Sequence, residues 1–240
     1  MSSNKLKKRL MKVRGAFCQL VSLLMLRYTR LNASRLGHRI AWLNIDRLHV
    51  GCGDVLLKGW LNIFYDLREE YGRVKGVRGA WLLNYNLLKP WPVADRSIRY
   101  IAGSHFIEHL DLNEGIKFLK ESYRVLLAGG LIRLSCPDME IYARNYVANN
   151  KSFFEHELIR EWCAFKSAET PGEIFVAKAY DSGGSHKWFY DFESLKHILE
   201  LAGFKEVRKL GRLDGDMPEL SIIEPDKREL ETLYVEARKI

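Results

Sequence analysis

Apolar and polar positions follow two patterns along the chain, one typical of buried strands and one typical of amphipathic helices. Short apolar runs that end in glycine or polar residues predict strands, and these runs are Arg47–Val50, Leu61–Tyr65, Ala80–Leu83, Ser97–Ala102, Leu131–Ser135, Lys205–Leu210 and Leu233–Ala237. Apolar residues three and four positions apart predict helices over Leu112–Leu127 and from Asp191 or Phe192 to Leu201. Strands that alternate with helices predict one α/β domain with a mostly parallel sheet.

Local signals refine the second half of the chain. Asp111 is the expected N-cap of the first helix, and Gly129-Gly130 the expected end signal. Residues 139–185 are interpreted as a helical, aromatic insertion that forms either a small core or a lid over an acceptor. The polar stretches 67–79 and 211–229 are expected to be loop and turns.

Residues 1–40 have a pattern of their own. Apolar residues recur at helical spacing from Leu6 to Leu31, and the ten charged residues of the segment are all Lys or Arg. A basic amphipathic helix can lie on an anionic membrane surface, or it can pack on the body or on a partner protein. The pattern favours neither. We therefore divide the chain into a helical segment, 1–40, and a body, 41–240.

Charge and cysteine content narrow the classes of function. The net charge of +8 comes from residues 1–40, because residues 41–240 hold 28 basic and 30 acidic side chains; the body gives no reason to expect nucleic-acid binding. The four cysteines are far apart, which argues against a zinc site and fits a reducing compartment. We expect no metal centre, and a cytoplasmic protein that residues 1–40 could attach to the inner face of the membrane.

The stretch Gly51-Cys52-Gly53 follows the first predicted strand directly. Two glycines around one small residue let the main chain turn sharply and let a ligand lie against it. Asp66 follows the second strand, where an acid can accept both hydroxyls of a ribose. The connection between the two strands is too short for a full crossover helix. An ordinary tight turn and a surface acid are the alternative interpretations.

A group of polar residues follows the predicted strand Ser97–Ala102. It contains Ser104, His105, an acid and His109, and a further histidine, His186, lies in a glycine-rich loop. Histidine suits proton transfer because its pKa lies near neutral pH. We treat His105, His109 and His186 as candidate bases and Asp138 as a residue that could orient one of them. A structural role is at least as plausible for each histidine taken singly.

Several motifs together carry a family resemblance: His49-Val-Gly-Cys-Gly-Asp54, Gly59-Trp-Leu-Asn62, Pro90-Trp-Pro-Val-Ala-Asp95, Ser104-His-Phe-Ile-Glu-His-Leu110, Leu131-Ile-Arg-Leu-Ser-Cys-Pro-Asp138 and His186-Lys-Trp-Phe-Tyr-Asp191. In this order they resemble the class I S-adenosylmethionine-dependent methyltransferases. More narrowly, they resemble a small bacterial group associated with the synthesis of surface polysaccharides.

The resemblance implies a Rossmann-like methyltransferase fold of seven strands, the last one antiparallel, and S-adenosylmethionine as cofactor. It places Gly51, Cys52 and Gly53 against the methionine part of the cofactor and Asp66 on its ribose. It also places Asn86 near the adenine and Ser104 within the same site. Three positions depart from the family pattern, since Phe64, Asn86 and Arg99 stand where the family usually has Asp.

We therefore expect a methyltransferase that acts on an oxygen, namely a sugar hydroxyl of a surface glycan or of its lipid-linked precursor. One alternative is a catalytically impaired protein that scaffolds or regulates a membrane-associated glycan assembly, and the three departures motivate it. Another is a nucleotide-sugar enzyme that uses a dinucleotide. The missing crossover helix counts against that last interpretation.

Overall fold

The computed structural model describes residues 34–161, 163, 165–180 and 185–240. Its strands are β1 (Arg47–Val50), β2 (Leu61–Phe64), β3 (Val74–Val77), β4 (Ala80–Asn84), β5 (Ile98–Ser104), β6 (Leu126–Pro137), β7 (Lys205–Leu210) and β8 (Thr232–Arg238). Its helices are α1 (residues 34–42), α2 (Leu112–Val125), α3 (Met139–Val147), α4 (Lys151–Glu155), α5 (Glu157–Glu161), α6 (Pro171–Ala179), α7 (Phe192–Leu201) and α8 (Leu220–Ile223). Short 3-10 helices cover Ile107–His109 and Asp226–Glu231.

The strands form one mixed sheet in the order β3-β4-β2-β1-β5-β6-β8-β7. Strands β4, β2, β1, β5 and β6 are parallel to one another, and β8 is antiparallel to both of its neighbours. The predicted Rossmann-like α/β fold with an antiparallel last strand is therefore confirmed. The carboxyl ends of β1, β2, β4 and β5 meet at one edge of the sheet, where ligands of open α/β sheets bind.

The count of seven strands was one too low in this part of the chain. The predicted loop 67–79 contains β3, which pairs antiparallel with β4 through a two-residue turn. Arg78 and Gly79 in that turn have φ of +49° and +80°, as a tight hairpin turn requires. The sequence pattern missed β3 because its side chains are exposed or half-buried at the sheet edge and do not alternate in polarity.

The end of α2 also differs from the prediction. Asp111 does cap the helix in a capping box with Glu114, but the helix ends at Val125 and β6 begins at the next residue. Gly129-Gly130 lies inside β6, at an irregularity where β6 advances from Leu126 to Leu131 while β5 advances by only two residues. The glycines therefore serve a bulge in the strand and not a helix cap.

Alternate residues of the strands build two different faces of the sheet. The first face packs against α1, α2 and α7 in the main core. The second face carries a smaller core with Leu57, Trp60 and Ala102, which residues 217–223 cover. As predicted, the β1–β2 connection has no helix. The stretch 211–229, expected to be turns, contains α8 and the start of a 3-10 helix.

Helices α3 to α6 form a separate small core around Tyr142, with Phe153 and Phe154 packed edge-on against its ring.

At the start of the described chain, Leu36 and Ile40 of α1 are buried in the main core. The remainder of the predicted amphipathic helix, residues 1–33, lies outside the described residues. No helix among those described is long and apolar enough to cross a bilayer.

Candidate functional site

The turn after β1 contains both predicted glycines in the left-handed region, Gly51 with φ +62° and Gly53 with φ +49°. Their surroundings differ. A Cβ on Gly51 would lie 2.5 Å from Cδ2 of Phe106, whereas a Cβ on Gly53 would meet no described atom within 4 Å. Gly51 is therefore bare because Phe106 packs against it, and Gly53 is the glycine with open space in front of it.

Cys52 lies between them and is buried. Its amide donates to the carbonyl of Ile63 at 3.1 Å, which ties the turn to β2. Burial raises the pKa of its thiol to about 12, so Cys52 is neutral and a poor nucleophile at neutral pH. Its role in the structure is to anchor the turn.

Asn62 holds the short connection between β1 and β2. Its Oδ1 accepts from the amide of Leu57 at 2.9 Å, and its Nδ2 donates to carbonyls that include those of Leu57 at 3.0 Å and Trp60 at 3.2 Å. Nδ1 of the buried His49 lies 3.1 Å from the same Oδ1 and donates to it. Burial lowers the pKa of His49, so its neutral form completes this clamp.

The carboxylate of Asp66 lies just past the end of β2, as predicted, but it forms an ion pair with Arg68. Arg68 Nη2 lies 2.6 Å from Oδ2 and Nε lies 3.0 Å from Oδ1. These contacts hold the pKa of Asp66 at about 2. The Arg68 side chain is 89% exposed, and a solvated pair of this kind is weak enough to open for a ligand.

Asn86 follows β4 by two residues. Its Oδ1 accepts from the amide of Leu88 at 2.9 Å, an Asx turn that fixes the chain before Pro90. Adjacent to it, the ring of Tyr85 stacks on that of Tyr71 with centroids 5.3 Å apart. The predicted adenine contact would have to share the Asn86 carbonyl with this turn.

Ser104, at the end of β5, points to the second face of the sheet. Its hydroxyl donates to Oε2 of Glu224 at 3.0 Å, and Ser135 donates to the same oxygen at 2.7 Å. Glu224 in turn pairs with the fully buried Arg133, whose guanidinium also contacts Glu236. Ser104 thus belongs to a buried polar network that ties the segment before β8 to the sheet.

The structure brings the three candidate histidines together around one acid, Glu108. Nδ1 of His105 lies 3.2 Å from Glu108 Oε1, and the rings of His109 and His186 meet edge-on at 4.8 Å. The amides of Lys187 and Trp188 donate to the carbonyl of Glu108, which fixes the His186 loop beside the end of β5. Glu108 is 1% exposed.

Asp138 is not part of this cluster. It caps α3 by accepting from the amide of Glu140 at 2.9 Å, and its other oxygen accepts from Lys209 at 3.0 Å. Both contacts stabilise the start of the insertion, and neither involves a histidine.

Glu108 is the acid that the sequence shows between His105 and His109, but it was not assigned a role in the site. The signal that could have found it is the step Glu108-His109 directly after a strand end. Beside His186 lies a surface cleft of about 310 Å³; its lining residues are Ala179, Tyr180, His186, Lys187, Trp188 and Phe189. Three aromatic rings therefore lie next to the histidine cluster.

No protein-family model matches the chain, and no curated protein matches it. Among solved structures it is similar to a SAM-dependent methyltransferase, possible histamine N-methyltransferase, of Thermotoga maritima (20% identity, TM-score 0.47, 81% of this chain and 82% of that chain). A SAM-dependent methyltransferase of Archaeoglobus fulgidus gives 18% identity and a TM-score of 0.43, covering 88% of this chain and 94% of its own. Phosphoethanolamine N-methyltransferase 2 of Haemonchus contortus, in complex with S-adenosyl-L-methionine, gives 12% identity and a TM-score of 0.41, covering 80% of this chain and 48% of its own. At these values the likenesses carry no argument about activity.

Proposed function

We propose that this chain is an S-adenosylmethionine-dependent methyltransferase. The observation that supports it most is the left-handed turn at the carboxyl end of the central strand β1, where Gly53 faces open space. The histidine cluster lies at the end of the neighbouring strand β5, so a ligand on the turn and an acceptor at the cluster would share one edge of the sheet.

The residues present fit the cofactor in part. The main chain at Gly53 can lie against the methionine part, and the Asp66 carboxylate can accept the ribose hydroxyls once Arg68 moves away. Gly51 and Cys52 fix the shape of the turn. Ser104 contacts the Glu224 network and not the turn. When bound, the cofactor supplies an electrophilic methyl group.

We further propose that the acceptor is a sugar hydroxyl. The aromatic rings of Tyr180, Trp188 and Phe189 in the cleft can pack on the apolar face of a sugar ring. The histidine cluster beside them is where the hydroxyl proton would be taken up or released. Membership of a surface-polysaccharide group rests on the sequence motifs.

Calorimetric titration with S-adenosylhomocysteine tests the cofactor proposal. Gly53→Asn adds a side chain in the open space while keeping a left-handed conformation that Asn tolerates. Gly59→Asn is the matched control, because Gly59 has φ +75° and open space but precedes β2 at the opposite edge. We expect binding in the unmutated protein and the control, and a loss of at least about tenfold in Gly53→Asn. If the folded, unmutated protein does not bind, the scaffold alternative takes precedence.

We also propose that, of the predicted segment 1–40, residues 1–33 attach the protein to an anionic membrane surface, because they carry eight of its ten basic side chains and no acidic one. Truncation at Ser34 is the appropriate comparison, since Leu36 and Ile40 belong to the main core. The full chain is expected to sediment with anionic vesicles and the truncated chain to stay in solution. If both stay in solution, a partner protein is the better interpretation of this segment.

A further inference from the structure

Glu108, His109 and His186 each place one ligand atom within 4.8 Å of the others. Ligand atoms that share a zinc ion lie about 2.1 Å from it and so about 3–4 Å from one another. The three side chains therefore need to close by only about 1 Å to bind one ion. Glu108 and His109 are fixed on the short 3-10 helix after β5, and His186 comes from the loop that Glu108 itself holds.

The carboxylate of Glu108 is buried without compensation. Neither oxygen accepts a hydrogen bond from any described residue, although His105 Nδ1 is only 3.2 Å away, because that contact is not aligned as a hydrogen bond. A buried, ionised carboxylate is costly unless a cation neutralises it.

The tautomer of His105 is a second reason to expect a cation beside Glu108. Thr232 donates its hydroxyl proton to the carbonyl of Arg228 at 2.5 Å, so Nε2 of His105, 3.0 Å from that hydroxyl oxygen, must donate. In the neutral ring the lone pair then lies on Nδ1, which faces Glu108 Oε1. Two acceptors 3.2 Å apart repel each other. A positive charge between or beside them removes the conflict.

The ring of His186 is oriented as in metal ligands. Its Nδ1 lies 3.2 Å from the carbonyl of Lys178, and since a carbonyl can only accept, this ring carries its proton on Nδ1 and its lone pair on Nε2. Nδ1 of His109 lies 3.3 Å from the carbonyl and 3.0 Å from the hydroxyl of Ser185, and both of these groups can accept an Nδ1 proton. Metal-binding histidines typically donate their other N–H to a backbone carbonyl in this way.

We propose that Glu108, His109 and His186 bind a divalent first-row metal ion. Two imidazoles and one carboxylate suit Zn²⁺, Mn²⁺ or Fe²⁺, and three protein ligands leave coordination positions open, as in catalytic sites. His186 also lines the 310 Å³ cleft, so an oxygen of a molecule in that cleft can reach the ion. His105, whose Nδ1 lies 3.2 Å from Glu108 Oε1, is not one of the three ligands. Binding of such an ion would contradict the expectation that the protein has no metal centre.

Titration of the untagged, chelator-treated full chain with Zn²⁺, and separately with Co²⁺, tests the proposal. We expect one ion per chain, visible Co²⁺ absorption bands and a higher melting temperature with metal. His186→Ala should weaken binding about 100-fold or more, since even the loss of an outer hydrogen-bond partner costs 10- to 100-fold. His197→Ala, on the exposed face of α7, is the matched control and should bind normally.

Glu108→Gln keeps the size of the buried side chain and removes its charge, and it should also abolish the Co²⁺ bands. If the unmutated protein binds neither ion, or if His186→Ala binds as well as His197→Ala, the proposal is wrong and protonated histidines neutralise Glu108. Metal binding is measured without cofactor or acceptor. Its outcome is therefore independent of S-adenosylhomocysteine binding and of the proposed methyltransferase function.

Discussion

Replacing Asn62 with alanine should destabilise this protein more than its small size change suggests. The side chain is fully buried, and its oxygen and amide contact the main chain of Leu57, Trp60 and Trp81 and the ring of His49. Alanine would leave the Leu57 amide and His49 Nδ1 as buried donors without acceptors. Each such group costs about 1–3 kcal/mol, so we expect a total loss of about 4 kcal/mol.

For a chain of this size, 1 kcal/mol corresponds to about 2–4 °C in melting temperature. Asn62→Ala should therefore lower the midpoint by about 8–16 °C in thermal unfolding followed by circular dichroism. Asn86→Ala is the matched control, because it removes one Asx-turn hydrogen bond at a half-buried site and should cost about 1 kcal/mol or less.

The same variant should bind S-adenosylhomocysteine more weakly at temperatures well below its midpoint. The clamp at Asn62 holds the connection that begins with the Gly51–Gly53 turn, and a looser connection means that binding must first order it. Equal losses of stability in Asn62→Ala and Asn86→Ala would show that the Asn62 side chain does not take the place of the missing crossover helix.

Three further outcomes follow from the contacts described. Gly51→Ala should cost about 2–4 kcal/mol in urea unfolding through its clash with Phe106 and its positive φ, and adding Phe106→Ala should relieve the clash, so additive losses would contradict it. Arg133→Met leaves two buried glutamates without their shared cation and should cost about 3–5 kcal/mol in the same assay; an unchanged midpoint would contradict this. The pKa of Asp66, about 2 beside Arg68, lies below its unfolded value, so the pair stabilises the fold above about pH 4 and loses that effect as the pH falls toward 2. In Arg68→Ala, the NMR titration midpoint of Asp66 should rise to the usual range.

The parallel core of the sheet could be predicted because its strands are short apolar runs that end abruptly. Strand β1 is found at the predicted residues, and β2 ends one residue early. The edge strand β3 could not be predicted, because its side chains are largely solvated and a hairpin partner, not burial, makes it a strand. The prediction that Gly129-Gly130 ends the helix was wrong for a related reason. A pair of glycines looks the same in the sequence whether it follows a helix or lies in a strand bulge.

The candidate site, like the sheet, could be predicted only in part. The histidines after β5 could be found from their position at a strand end, but the approach of His186 depends on a loop 78 residues further along the chain than Glu108. The direction of Ser104 is set by the pleat of β5 and by Glu224, which arrives 120 residues later. Local patterns do not encode these long-range pairings. The pairings with Glu224 and Lys209 are what keep Ser104 and Asp138 out of the histidine cluster.

A crystal structure of the full chain with saturating S-adenosylhomocysteine would show directly whether the cofactor binds at the turn after β1. We expect density along the main chain of Gly53 at the carboxyl end of β1, with the Arg68 side chain withdrawn from Asp66 and the ribose hydroxyls on that carboxylate. Density elsewhere on the protein, or an empty turn with the Asp66–Arg68 pair still closed, would contradict this expectation.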